Sequence, residues 1–212
     1  MEHTYWARYG DIIIRPLKCQ DIELLRKWRN DYELSKYLRP IDYITSEMQR
    51  AWFIDYLKSS NTYFFAICNE VTDKVIGSVA IYNVNDKNAE IGKLVIGDAS
   101  ARGRHIGYSS IVMAMQIGYE FIGIENYSLD CHENNIAALK NYLRAGYKEV
   151  RKHTFINGGC ELEMRIDKTE FVKNNEILSE INTGKTNICS GGANKLVCLV
   201  SSCGFLRNKG VM

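Results

Sequence analysis

Leu94-Val95-Ile96-Gly97-Asp98-Ala99-Ser100-Ala101-Arg102-Gly103-Arg104-His105-Ile106-Gly107 is the stretch on which the reading of this chain turns. An apolar, β-branched run enters a loop with glycines at 97, 103 and 107, and the loop leads straight into an apolar helix, about Gly107–Ile122. Successive backbone N–H groups at a helix start, together with the positive end of the helix dipole, favour a phosphate. Glycine lets the backbone approach such a ligand closely, and Arg102 and Arg104 add positive charge. The stretch lacks the Lys-Ser/Thr ending of a nucleotide P-loop and the three regularly spaced glycines of a dinucleotide fingerprint. A merely tight strand-to-helix connection would use the same residues, so both readings stay open at this point.

Outward from that loop the pattern alternates between extended and helical periods. Upstream, Asp11–Leu17 reads as a first strand, Asp21 opens a helix to about Asn30, and a short helix spans about Asp31–Leu38. A third helix follows Thr45, to about Lys58. Three antiparallel strands come next, Tyr63–Asn69, Val75–Asn83 and Ala89–Ile96. Downstream of the apolar helix, Tyr127–His132 is a strand and Asn134–Arg144 a helix, with Ile136, Leu139 and Leu143 facing inward. Two closing strands, about Tyr147–Ile156 and Glu161–Ile166, flank the turn Asn157-Gly158-Gly159. The order predicts an α+β domain: a mixed, mostly antiparallel sheet with helices on both faces, ending near Asp167.

Composition bounds the function classes. With 212 residues, 46% apolar and 25% charged, the chain can bury one proper core. Lys plus Arg is 27 against 25 acidic residues, and residues 168–212 hold six basic and three acidic residues, so residues 1–167 are close to neutral. A nucleic-acid partner would ask for a basic stripe, and none is expected. The seven cysteines are odd in number, irregular in spacing and without a Cys-x-x-Cys pair, so no metal site is expected and free thiols are. The longest uncharged stretch, His105–Tyr119, is too short to span a bilayer, and the first residues carry no secretion signal. The expected location is the cytoplasm, away from membranes.

Residues 168–212 read as a C-terminal extension of undefined structure appended to a domain over 1–167. An apolar run at Leu196–Leu206 fits a strand or a short helix equally. Thr183-Gly184-Lys185-Thr186 has the look of a P-loop end, but Ser179 stands where the upstream glycine belongs and no strand is expected before it.

Three ordered segments carry a resemblance. Arg102-Gly103-Arg104-His105-Ile106-Gly107 resembles the pyrophosphate-binding signature Arg/Gln-x-x-Gly-x-Gly/Ala of the GNAT superfamily of N-acetyltransferases. Ala89-Glu90-Ile91-Gly92 before it, and Asn135, Ala138, Tyr142, Gly146 and Tyr147 after it, are similar to that family in register. Ile14-Arg15-Pro16-Leu17 and Trp28-Arg29-Asn30-Asp31 resemble the branch that acetylates ribosomal proteins, polyamines and amino sugars. The likeness covers about residues 10–167. His105 stands where the family usually has its middle glycine; a positive φ there costs histidine less than most residues, and an imidazolium could pair with a phosphate.

The resemblance implies a fold, a ligand and roles. Acetyl-CoA is the implied acetyl donor and a primary amine the implied acceptor, with no metal; a homodimer stays open as the assembly. The backbone of Leu94, Val95 and Ile96 would pair with the pantetheine arm and offer an N–H to the oxyanion. Arg102, Gly103, Arg104, His105, Ile106 and Gly107 would hold the pyrophosphate. Asn135 would touch the cofactor, although an N-cap role explains it equally. Tyr142 matches the family's proton donor to the departing thiolate, with ordinary core packing as the alternative. Glu90 interrupts an apolar strand face and is the candidate base, with a cross-strand ion pair as the alternative. The early helices, carrying Asp31, Glu33, Asp42, Glu47 and Asp55, would form the acceptor surface. A non-catalytic module that binds acyl-CoA through the same loop is the second reading; release of free CoA on adding an amine separates the two.

Overall fold

Alternating apolar and polar residues put two faces on each extended segment, and the computed structural model, which describes residues 2–38, 40–154 and 159–186, joins these segments into one sheet. Its strands are β1 (Tyr5–Tyr9), β2 (Ile12–Pro16), β3 (Tyr63–Asn69), β4 (Lys74–Asn85), β5 (Asn88–Ile96), β6 (Asn126–His132), β7 (Lys148–Thr154), β8 (Cys160–Asp167) and β9 (Asn182–Lys185). The order across the sheet is β7-β8-β6-β5-β4-β3-β2-β1-β9. Every pairing is antiparallel except β5 with β6.

Period two decides which helices cover which face. On β3, Phe65 and Ile67 point into a cluster that includes Ile111, Val112, Met113 and Met115 of α4 (Ile106–Ile117). Phe64, Ala66 and Cys68 point the other way, against Ile22 and Leu25 of α1 (Ile22–Asn30) and Phe53 and Tyr56 of α3 (Ser46–Lys58). Between them lies the four-residue α2 (Tyr32–Ser35). Helices therefore cover both faces, as expected of the α+β reading. Cys68, Cys131 and Cys160 are buried and free. Among the described residues no helix is long and apolar enough to cross a membrane.

The Arg15 guanidinium makes a bidentate pair with the buried Asp21, at 2.7 and 3.1 Å, and Asp21 also accepts the Lys18 N–H at 2.8 Å. This ion pair ties the end of β2 to the start of α1. Removing one partner would leave a buried charge uncompensated, at a cost of about 3–5 kcal/mol.

Three features depart from the sequence reading. A strand, β1, precedes the expected first one; Gly10, at φ +59°, and Asp11 form the two-residue turn between them, with Tyr9 opposite Ile12. The apolar helix reaches Ile122 as expected but changes pitch at Gly118. An ideal Cβ on Gly118 would lie 1.6 Å from the Tyr127 hydroxyl, and the backbone there widens into a π turn over Gly118–Ile122.

Most important, the chain does not leave the fold at Asp167. α6 (Lys168–Asn174) seats Phe171 in the main core at 2% exposure, and β9 adds an edge strand beside β1, Trp6 facing Gly184. An ideal Cβ on Gly184 would lie 2.7 Å from the Trp6 ring, so glycine is needed for that approach. The buried Asn175 links these pieces: its amide donates to the Ala145 and Phe171 carbonyls, and its oxygen accepts the Tyr108 hydroxyl. The Leu196–Leu206 run and Asn157-Gly158 lie outside the described residues.

Candidate active site

β5 and β6 run side by side at one end only. Their pairing links Asn88 to Asn126, Ala89 to Tyr127 and Glu90 to Ser128, and stops there. Beyond Glu90, β5 continues to Ile96 paired with β4, and β6 continues to His132 paired with β8. The sheet is thus open along Ile91–Ile96, where one side of the β5 backbone has no neighbouring strand among the described residues. An extended chain of another molecule could add its hydrogen bonds there.

A bulge shapes that free edge. Ser78 faces Val95 and Ala80 faces Gly92, so Val79 alone stands opposite Lys93 and Leu94. Lys93 sits at φ +52°, a conformation that costs a residue with a Cβ roughly 1–2 kcal/mol, and its carbonyl accepts the Ser78 hydroxyl at 3.0 Å. The bulge re-aims the backbone N–H groups just ahead of Leu94, Val95 and Ile96, which are half-buried.

The loop after β5 is braced at each step. Gly97 packs flat under Trp28 of α1, where an ideal Cβ would lie 1.9 Å from the indole. Asp98 pairs with Lys74 and accepts from the Ser100 hydroxyl at 2.7 Å and the Ser100 N–H at 2.9 Å; Lys74 first, and then Ser100, hold its carboxyl down at about 2. Arg102 turns back: its Nε donates to the Ile96 carbonyl at 3.1 Å and Nη2 to the Gly97 carbonyl at 3.2 Å. It fastens the loop to the strand end rather than reaching outward. Gly103 lies at φ +75° with open space where a side chain would stand, and His105 lies at φ +59° as the N-cap of α4. The left-handed conformation considered from sequence is therefore adopted by a histidine.

The first backbone bond of α4 runs from Ser109 N–H to the His105 carbonyl, so the amides of Ile106, Gly107 and Tyr108 precede it. The Ile106 side chain is buried in the core; only its backbone can serve a ligand. α5 (Ile136–Arg144) lies across this helix start, with Asn141 Nδ2 2.7 Å from an ideal Cβ on Gly107. Asn135 caps α5, its side chain accepting Ala138 N–H at 3.3 Å, which realises the capping alternative. The inward face of α5 is Ala138, Leu139 and Tyr142, whereas Ile136 and Leu143 are exposed, contrary to the spacing-based expectation.

Tyr142 is 6% exposed, with its ring edge-on to Tyr147 at 5.8 Å. Burial pushes its phenol well above the ordinary tyrosine range. Among the described residues no hydrogen bond engages its hydroxyl. Glu90, half-buried, accepts Asn83 Nδ2 at 2.8 Å and stands across from Tyr82 on β4. The Tyr82 phenol is likewise raised, by burial first and then by the Glu90 carboxylate, with Tyr142 and Asp130 near enough to contribute. Its ring lies over Gly92, an ideal Cβ there being 3.1 Å from the hydroxyl, and Lys93 Nζ sits 4.7 Å from its centroid. The structure thus gathers Glu90, Tyr82, Gly92 and Tyr142 at the point where β5 and β6 part. Tyr82 was missed in sequence because Val75–Asn83 reads as an ordinary strand; Gly92, diagonally across the ladder and two residues beyond its partner Glu90, was its one signal.

The acidic residues expected to attract an amine are mostly used locally. Asp31 caps α2 through Glu33 N–H, Glu33 pairs with Lys36, and Asp55 with Lys58. What this surface does expose is aromatic and apolar: Tyr32 at 73%, Tyr43 at 70% and Ile41 at 51%. Tyr37 meets His132 at the end of β6, ring centroids 5.5 Å apart, bringing this surface beside the opening. No group of three His, Cys, Asp or Glu side chains able to hold a metal occurs among the described residues.

On the other flank of the loop, toward the β1–β2 turn, is a cavity of about 240 Å³ whose lining includes Tyr9, Asp11, Arg104, His105, Tyr108 and Arg144. Arg144 stacks on Tyr108, 4.2 Å from the ring centroid, and meets His105 Nδ1 at 3.1 Å.

The model of the acetyltransferase (GNAT) domain matches residues 11–148. An uncharacterized protein of Methanocaldococcus jannaschii is 28% identical over 146 residues, which are 66% of this chain and 29% of that protein. The chain thus spans under a third of that relative's length. The acetyltransferase PseH of Campylobacter jejuni is 23% identical over 126 residues, 59% of this chain and 76% of that protein. In fold, the chain is similar to a spermidine N-acetyltransferase from Vibrio cholerae solved with CoA and spermine, with TM-score 0.70 at 17% identity, covering 76% of this chain and 98% of that one.

Proposed function

The chain belongs to the GNAT acetyltransferase family, and from that premise we propose that it moves the acetyl group of acetyl-CoA to a primary amine, of a small molecule or a protein N-terminus, by direct attack on the thioester. The observation that carries this is the opening of the sheet between β5 and β6. There a bulged, unpaired backbone edge leads into a helix start with three free amides. A thioester arm can pair with Leu94–Ile96 while the adjoining pyrophosphate meets the amides of Ile106–Tyr108 and the open backbone at Gly103.

Acetyl-CoA supplies the activated acetyl group. A backbone N–H of the bulged edge donates to the thioester oxygen as negative charge develops on it. Tyr142 gives its phenolic proton to the departing thiolate. Its burial keeps that proton in place throughout the neutral range, so the donor form is always present. Glu90, oriented by Asn83 and beside Tyr82, takes the proton that the attacking amine loses. Arg102 acts on the loop: it clamps the Ile96 and Gly97 carbonyls and keeps the strand end aimed at the helix start. Asn135 caps α5 and Asn141 packs against Gly107 at the start of α4, and so they set the position of Tyr142.

The test is stoichiometric. With acetyl-CoA and a panel of polyamines, amino sugars and N-terminal peptides, at least one amine should gain an acetyl group by mass while one equivalent of free CoA thiol appears. Binding of acetyl-CoA without CoA release for any amine would contradict the transferase reading and leave a binding module.

A further inference from the structure

α3 carries apolar side chains on two faces. Phe53 and Tyr56 are buried against the sheet. Met48, Ala51, Trp52 and Asp55 repeat at helical spacing on another face and are exposed, Met48 at 50% and Trp52 at 38%. A surface helix ordinarily turns charge to water, not methionine and tryptophan. Met48 belongs to neither core, whereas Trp52 is fixed in place: its indole stacks on Tyr56 with centroids 5.8 Å apart and meets Phe64 edge-on at 5.4 Å. A rigid aromatic side chain with a bare face is the kind of group that anchors a docked segment. The exposed acids Glu47 and Asp55 border the stripe at its two ends.

The described chain ends beside this stripe. The Thr186 N–H donates to the Thr4 carbonyl at 3.0 Å, the neighbouring His3 ring meets the Phe64 carbonyl at 3.1 Å, and Phe64 is the residue whose ring Trp52 touches. Residues 187–212 follow Thr186 and lie outside the described residues. They include the uncharged apolar run Leu196–Leu206, with Lys195 before it and Arg207 and Lys209 after it. We propose that this run docks on the Met48–Trp52 stripe of α3, its flanking cations facing Glu47 and Asp55. The connection is long enough: residues 187–195, at about 3.3 Å each when extended, span up to roughly 30 Å. Between Thr186 and Trp52 stand only Thr4, His3 and Phe64. The charge order matches as well, since the apolar stripe between two acids meets an apolar run between cations. Docking hides from water a stripe and a run that would otherwise favour association between molecules. The stripe lies against β3, two strands from β5 in the sheet order, so its occupant stays clear of the opening between β5 and β6.

The experiment is hydroxyl-radical footprinting of the full chain, read by mass spectrometry at Met48 and Trp52 with the exposed Tyr32 as internal reference. The wild type is compared with a full-length variant carrying Leu199→Asp and Phe205→Asp, which leaves every residue of α3 and of the sheet as it is. If the run is docked about nine-tenths of the time, its loss raises oxidation at both residues about tenfold relative to Tyr32. The reciprocal variant is Met48→Asp, at an exposed position outside both cores, and it should speed tryptic cleavage after Lys195 by a similar factor while the melting temperature stays close to that of the wild type. Equal oxidation in the wild type and the doubly substituted chain would overturn the proposal. So would protection of Met48 and Trp52 that rises with protein concentration and disappears on dilution, because a second copy of the chain would then cover the stripe. Unchanged cleavage after Lys195 in Met48→Asp would overturn it as well.

Discussion

Tyr142 is the residue at which packing and chemistry are hardest to separate, since a buried ring on an inward helix face needs no catalytic explanation. Its hydroxyl, however, has no hydrogen-bond partner among the described residues, although it belongs to the group gathered at the opening of the sheet. Tyr142→Phe keeps the ring against Tyr147 and removes only the proton. The expected outcome is a fall in kcat of roughly 10²-fold, with KM for acetyl-CoA and melting temperature almost unchanged. Near-normal single-turnover rates would return Tyr142 to the core. Because burial raises this phenol, the rate should also show no alkaline limb from Tyr142 below about pH 10.

A second residue makes a prediction about stability. His3 is buried among Tyr5, Tyr63 and Phe65, and one ring nitrogen meets the Phe64 carbonyl at 3.1 Å. Burial lowers its pKa from the ordinary value near 6.5 to about 4. The unfolded chain therefore takes up a proton first as pH falls. The stability involved is fully present above about pH 6.5 and is lost as pH drops toward about pH 4, amounting to about 3 kcal/mol. Urea midpoints at about pH 7 and about pH 4.5 should differ more for the wild type than for His3→Gln; equal differences would show that His3 is protonated in the fold.

Among the elements, α6 and β9 matter most because they lie beyond the expected domain end. A chain ending at Asp167 would lose Phe171 from the core, the Asn175 links to Tyr108 and Ala145, and the strand that covers β1. Deleting a buried phenylalanine side chain alone costs about 3–5 kcal/mol, so the truncated chain should melt far lower or aggregate. An unchanged melting temperature would show these elements to be dispensable. This part of the fold was hard to see in sequence because its contacts are sparse and non-local. One phenylalanine, one asparagine and a four-residue strand containing Gly184 carry no period, whereas β3, β4, β5 and α4 announce themselves by runs of apolar residues. The loop from Gly97 to Gly107 was legible because glycines and a helix start are local signals. The role of Arg102 was not, since the direction of a long side chain is set by carbonyls that only the folded strand end presents. Tyr82 and Arg144 were invisible because each acquires its meaning from a partner on another element.

At the scale of the whole molecule, the sheet is continuous at one end of the β5–β6 pair and open at the other, with a helix start at the mouth of the opening. The two cores on either side of the sheet keep β5 in place after β6 leaves it, and α1 and the loop after β5 meet at Trp28 over Gly97. The most direct test is amide hydrogen exchange with and without saturating acetyl-CoA. The account predicts that protection concentrates at the amides of Lys93–Gly97 and Gly103–Tyr108, with α1, α3 and the β7–β8 pair unchanged. Protection that fell elsewhere, or no protection at all, would contradict the placement of the donor between β5 and β6.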